Sequence, residues 1–192
     1  MEAENSPSVS TGGLTERSDM SSILWIAQAK PNPAGKDKTS YGSPKPEQLL
    51  GEWVDIENIG TEPVRFSTMK LFHTIFTDKC EPTGRTEDYW SDNGTASLSP
   101  GETLRVHTGM KKDESLLSPA DRGTVKWRAF AGKDRFVLNN RCGDAITVTW
   151  QDGNGKAWKD TASYRPNAPE GAVLRRAGGL SLIHISEPTR PY

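Results

Sequence analysis

Apolar and polar residues alternate one by one through much of this chain, the period-two pattern of strands with a single buried face. The pattern is cleanest in Trp53-Val54-Asp55-Ile56-Glu57-Asn58, where Val54 and Ile56 interleave with Asp55 and Glu57. This stretch runs into a turn: Asn58 and Gly60 tolerate positive φ, and Pro63 closes it. So short a strand is not stable alone, so more sheet is expected around it. Ile23–Gln28, Val64–Phe66, Met69–Phe76, Glu102–His107 and Val125–Phe130 read as further strands, and Phe136–Asn140 approaches a Gly143-Asp144 turn. Ile146, Val148 and Trp150 share one face of another, and Asp152-Gly153-Asn154-Gly155 predicts a tight hairpin into Ala157–Tyr164. Between them lie a Pro/Gly turn at 31–37, a loop at 38–50, an insertion loop at 77–97, and a charged loop at 108–123 with one short helical turn. About seven to nine short strands at turn-marked spacing, without an amphipathic helix, predict an all-β sandwich.

The two ends break the pattern. Residues 1–21 are rich in Glu, Ser, Gly and Thr and are expected to form a disordered leader. They carry neither a basic n-region nor an apolar h-region, so no signal peptide is read there, and the expected compartment is the cytoplasm. Leu180-Ser181-Leu182-Ile183-His184-Ile185-Ser186-Glu187-Pro188-Thr189-Arg190 is similar to the conceptual translation of a transposase-type sequencing adapter. Residues 179–192 are therefore expected to be non-native and to lie outside the fold, which leaves 22–178 as one sandwich domain. Composition agrees: 18 Gly and 13 Pro suit a turn-rich sheet protein, and 6 Trp supply aromatic packing. The net charge of −1 gives no overall pull toward nucleic acid or anionic lipid. No apolar run reaches the ~20 residues of a spanning helix, so no membrane partner is expected.

Four blocks in order carry a family resemblance. They are Pro31-Asn32-Pro33-Ala34-Gly35-Lys36-Asp37, Glu52-Trp53-Val54-Asp55-Ile56-Glu57-Asn58, Leu98-Ser99-Pro100-Gly101-Glu102-Thr103-Leu104-Arg105-Val106-His107-Thr108-Gly109 and Val137-Leu138-Asn139-Asn140-Arg141-Cys142-Gly143-Asp144-Ala145-Ile146-Thr147-Val148. Together they span about residues 23–165, and the chain resembles the lamin-tail domain, particularly its bacterial members. The fourth block is one residue longer than the family pattern, at Arg141-Cys142, and the insertion at 77–97 has no counterpart in it. The resemblance implies an immunoglobulin-like β-sandwich that acts in protein interaction or scaffolding, without shared catalytic residues. Two alternatives stay open: an accessory or targeting domain of a larger enzyme such as a nuclease or phosphoesterase, and a nucleic-acid-binding module.

No catalytic, metal-binding or cofactor-binding residues are assigned from the sequence, which has no nucleophile elbow, P-loop, metal-spaced His pair or dinucleotide fingerprint. Asp55 and Glu57 share a strand face, where paired carboxylates could serve acid–base work; a solvated face is the expected role. His107 follows Arg105 on the outward face of its strand and is expected at the surface. Cys80 and Cys142 are expected to be free thiols, with pairing as the alternative. Tyr89 and Trp90, adjacent aromatics in the polar insertion, are the candidate partner-binding anchors, with a lid over the sandwich end as the alternative for Trp90. An unknown protein is the expected partner; nucleic acid is not favoured.

Overall fold

The computed structural model describes residues 23–177, 179 and 181–184. The leader expected at 1–21 lies outside the described residues. Among the described residues twelve strands form: β1 (Leu24–Lys30), β2 (Trp53–Asn58), β3 (Val64–Arg65), β4 (Lys70–Phe76), β5 (Pro82–Ser91), β6 (Ser97–Leu98), β7 (Thr103–His107), β8 (Trp127–Phe130), β9 (Asp144–Gln151), β10 (Ala157–Tyr164), β11 (Leu174–Arg176) and β12 (Leu182–His184). Four of these are only two or three residues long, which is why the number exceeds the expected seven to nine.

The chain is an all-β sandwich. One sheet has the order β12-β11-β1-β2-β7-β8 and the other β10-β9-β4-β5, with β3 and β6 paired separately. All neighbours are antiparallel except β7 and β8, which run parallel. The core lies between the sheets. Ile26, Val54, Ile56, Leu104 and Val106 of one sheet meet Leu71, Trp90, Ile146, Val148 and Trp150 of the other. The register read for Val54 and Ile56 holds, as does the inward face of Ile146, Val148 and Trp150. At one side of the sandwich Asp160 of β10 accepts the Ile26 amide of β1 at 2.9 Å and pairs with Arg176 of β11, tying the two sheets together.

Two loop expectations change. Residues 46–51 form a short helix, α1 (Pro46–Gly51), because Leu49 and Leu50 find apolar cover there. The 108–123 segment contains a 3₁₀ turn at Lys111–Leu116 and a one-turn helix, α2 (Pro119–Arg122), capped by the Ser118 hydroxyl. This segment lies over the second face of β2 and β7. Gly123 makes the close approach possible: it sits at φ 57°, and a Cβ there would come within 2.8 Å of an Arg105 guanidinium nitrogen.

The tail also departs from expectation. Leu182–His184 pairs antiparallel with β11, and Leu182 is 3% exposed within the core cluster. Leu182 and exposed Ile183 supply the alternation a strand needs, and β11 offers it an unpaired edge. Among the described residues no helix is long and apolar enough to cross a membrane.

Candidate functional site

Three of the four sequence blocks meet at a set of buried polar side chains. Glu52 stands between α1 and β2 and is 0% exposed. Its Oε1 accepts the Thr108 hydroxyl at 2.7 Å and the Val137 and Leu138 amides at 2.8 and 3.3 Å. It thereby joins the second, third and fourth blocks at one atom. Tyr89 closes the chain of bonds, its hydroxyl 2.7 Å from Thr108 Oγ1. Burial pushes the Glu52 carboxyl up to about 8 against the three hydrogen bonds, and nearby Asp144 adds repulsion. Glu52 is therefore mostly protonated at neutral pH. Burial likewise raises the Tyr89 hydroxyl well above its ordinary value.

Asp144 does the same work beside it. Its two oxygens accept the amides of Thr74, Ala145 and Asn139, joining β4 to the loop before β9. The Asn139 side chain accepts the Cys142 amide at 2.9 Å. Next to it Gly143, at φ 74°, lets the Tyr164 carbonyl approach to where a Cβ would stand. Asn58 holds the turn after β2: its Nδ2 donates to the carbonyls of Glu62 and Leu98, and its Oδ1 accepts the Gly60 amide. Asn32 of the first block donates to the Ala168 carbonyl at 2.8 Å. The polar residues of the blocks pin backbone that would otherwise be buried unsatisfied.

The second face of β2 and β7, expected to be solvated, is buried. Arg105 forks onto both Asp55 oxygens at 2.7 and 2.8 Å and lies 3.5 Å over the Trp53 ring. Burial pushes the Asp55 carboxyl up, and the Arg105 fork opposes that. Asp121 of α2 accepts the Trp53 indole N–H at 2.9 Å and pairs with Lys30 at 2.5 Å. Burial would raise Asp121, but hydrogen bonds from Lys30, Trp53 and Ser118 outweigh it and hold the group below its ordinary value. Asp55 and Glu57 do share a face. They have separate partners, however, since Glu57 takes the Trp25 indole N–H at 3.0 Å.

His107, expected at the surface, is fully buried. Its Nδ1 lies 2.6 Å from the Leu50 carbonyl, and its ring stacks on Phe130. Burial lowers it to about 4, so it is neutral at physiological pH. The two cysteines are bonded to each other: Cys80 and Cys142 form a disulfide with Cα atoms 5.0 Å apart, correcting the free-thiol expectation. The β4–β5 turn and the fourth block lie side by side, so 62 residues of separation vanish in space. Among the described residues no group of three or more His, Cys, Asp or Glu is placed to hold a metal ion.

The middle of the 77–97 insertion is a strand, with loop on either side, and its aromatics are not exposed. Residues 82–91 form β5, paired along β4. Tyr89 and Trp90 are 1% and 6% exposed and belong to the core cluster. Neighbours in a regular strand point to opposite faces, but the pairing skips from Leu71↔Trp90 to Phe72↔Asp88. The bulge leaves Tyr89 without a partner on β4 and lets both rings be buried. Tyr89 and Trp90 are therefore buried, where the sequence reading expected exposed aromatics.

What faces outward is different. Tyr41, at the tip of the turn closed by the Thr39–Ser43 hydrogen bond, is 95% exposed. β5 ends its sheet, and its residues Pro82–Thr86 are exposed. Beside β12 an open groove of about 530 Å³ runs between Leu174, Leu182 and Ile183 on one side and Tyr164–Pro169 on the other. No protein-family model matches the chain, and no curated protein matches it either.

Proposed function

We propose that this chain is a lamin-tail-like, immunoglobulin-like sandwich that serves protein interaction or scaffolding and performs no catalysis. One observation carries the reading. The buried acidic and imidazole groups of the sequence blocks, Glu52, Asp55, Asp144 and His107, are all engaged in holding backbone or a buried ion pair. That leaves recognition to loops and strand edges on a rigid frame. β5 ends its sheet, and an end strand is where a partner can add a strand through main-chain hydrogen bonds. The net charge of −1 favours a protein over a nucleic acid. An accessory role within a larger enzyme draws on the same surfaces. The Cys80–Cys142 bridge supports an oxidising compartment, in place of the cytoplasm expected from the leader.

The test is affinity capture from an extract of the source cells with the immobilised chain, compared with Arg85→Pro on the exposed half of β5. A partner held by the wild type and lost by Arg85→Pro at an unchanged melting midpoint supports recognition through this edge. Equal capture by both removes the edge. Turnover of an ester or phosphodiester substrate that Glu52→Gln abolishes overturns the non-catalytic reading.

A further inference from the structure

We infer that the outer face of β1, β2 and β7 carries a socket for a lysine side chain of a protein partner. The inference deepens the recognition reading above and rests on it. Beside the covering segment 110–125 this face holds an open cavity of about 340 Å³. Two cross-strand rows lie beneath it. In the first, Gln28, Asp55 and Arg105 stand opposite one another; in the second, Glu57 stands between Trp25 and Thr103. Thr124 and Val125, which follow the close approach at Gly123, complete the lining.

Charge selects the occupant. The neighbouring ionic groups are matched: Asp55 with Arg105, Asp121 with Lys30, and Arg176, which lies over the Trp25 ring, with Asp160. Glu57 is different. Its bond is to the neutral Trp25 indole, and among the described residues no cation pairs with it. Asp55 and Glu57 against Arg105 leave the cavity lining with one negative charge in excess. Glu57 is also half-buried, so solvent and salt screen it less than a carboxylate at the open surface. A cation entering the cavity completes the set of pairs.

Geometry selects an ammonium over a guanidinium. Glu57 Oε2 takes the Trp25 indole N–H at 3.0 Å, which orients the carboxylate and leaves Oε1 as its open acceptor. A guanidinium fork needs both oxygens of a carboxylate, as Arg105 has them on Asp55. An ammonium is a point charge with three rotatable donors, and Glu57 Oε1 with the hydroxyls of Thr103 and Thr124 offers acceptors for them. Ala27 and Val125 in the same lining suit the aliphatic stem of lysine.

The experiment titrates N-acetyl-lysine methylamide into the full chain and follows the Trp25 indole N–H in proton–nitrogen correlation spectra, its signal identified by its loss in Trp25→Phe. Because that N–H is bonded to Glu57, it reports a cation arriving at the carboxylate. A saturable shift is expected, with half-saturation at about millimolar concentration for a ligand of this size. The norleucine counterpart, which lacks the amine, should give none, and the arginine counterpart should bind more weakly than lysine. Glu57→Gln keeps a carbonyl for the indole and should weaken lysine binding by about tenfold or more. High salt should weaken the wild type in the same direction. No saturable shift in the wild type overturns the inference, and so does an equal response to the norleucine compound. Arginine bound as tightly as lysine overturns the ammonium assignment on which the inference stands. If Glu57→Gln does not fold, Thr103→Val takes its place, and undiminished binding there overturns the inference equally. Failure of the socket with partner capture through β5 retained leaves the recognition reading standing.

Discussion

Glu52 Oε1 accepts the Thr108 hydroxyl at 2.7 Å across 56 positions of sequence, and the same oxygen takes the Val137 and Leu138 amides. One buried atom thus fixes the start of β2, the end of β7 and the segment leading to β9. Glu52→Ala should lower stability by about 3–5 kcal/mol, since two amides and a hydroxyl lose their acceptor in the interior. Glu52→Gln keeps a carbonyl oxygen at the same place and resembles the protonated acid. It should cost about 1 kcal/mol or less near pH 6. Urea denaturation of both variants checks this. An Ala variant as stable as the wild type would remove Glu52 from its structural role.

The two buried titrating groups set the pH profile. The Glu52 carboxyl is raised from 4.5 to about 8 on folding. Its contribution to stability is fully present below pH 4.5 and is lost as pH climbs through 8. His107 is lowered from 6.5 to about 4, so its contribution is full above 6.5 and is lost as pH falls through 4. Between 4.5 and 6.5 the two slopes oppose each other. Above 6.5 the Glu52 slope alone remains, at most about 1.4 kcal/mol per pH unit. Asp55, also raised by burial, acts in the same direction. Denaturation midpoints should hold steady from pH 5 to 6.5 and fall toward 8, and Glu52→Gln should flatten that fall. A wild-type stability that rises between pH 6.5 and 8 contradicts the assignment.

The alternation rule reported the inner faces of β2, β7 and β9 correctly because period-two burial is a local property. It failed on the other face of β2 and β7, where Asp55, Arg105 and His107 were expected in water. The cover there is segment 110–125, mostly polar, and its placement depends on Gly123 and the Asp121–Trp53–Lys30 contacts. A signal was available, since Trp53 lies two residues before Asp55 and an aromatic seldom lines a solvated face. For Tyr89 and Trp90 no pattern served, because a bulge breaks the alternation on which the reading depends. Cysteine pairing likewise depends on distance in space, and the sequence carried no measure of it.

Reducing the Cys80–Cys142 bond should release the β4–β5 turn from the fourth block. The chain-entropy model assigns a closed loop of this size about 4 kcal/mol. For a chain of this length that corresponds to a melting midpoint lower by about 8–16 °C. Thermal unfolding with and without reductant, and of Cys80→Ser, measures it. Identical midpoints, with thiols shown to be free after reduction, would mean that packing alone holds the two loops together.

Adjacent residues of β2 should respond to substitution by very different amounts. Ile56→Asp places an unpaired carboxylate between Ile26 and Leu104 and should cost several kcal/mol of a total near ~5–15, enough to unfold the domain. Glu57→Ala removes a half-buried hydrogen bond to Trp25 and should cost about 1 kcal/mol. Circular dichroism melts separate the two. Sharp, unshifted transitions in both variants would mean that the strand faces are reversed.

Trp90→Ala distinguishes a core residue from a recognition anchor. Trp90 is paired with Leu71 and packed between the sheets, so its removal leaves a cavity where the β4–β5 hairpin meets the interior. The expected cost is about 3–5 kcal/mol. Tyr89→Phe should be far milder, about 1 kcal/mol, because it removes only the hydroxyl at Thr108 and leaves the ring in place. An anchor at the surface behaves otherwise, losing affinity for a partner while the unfolding midpoint stays where it was. Guanidinium unfolding of the two variants side by side reads the difference directly. A Trp90→Ala chain with an unchanged midpoint would place the indole outside the core and make it available as a binding anchor.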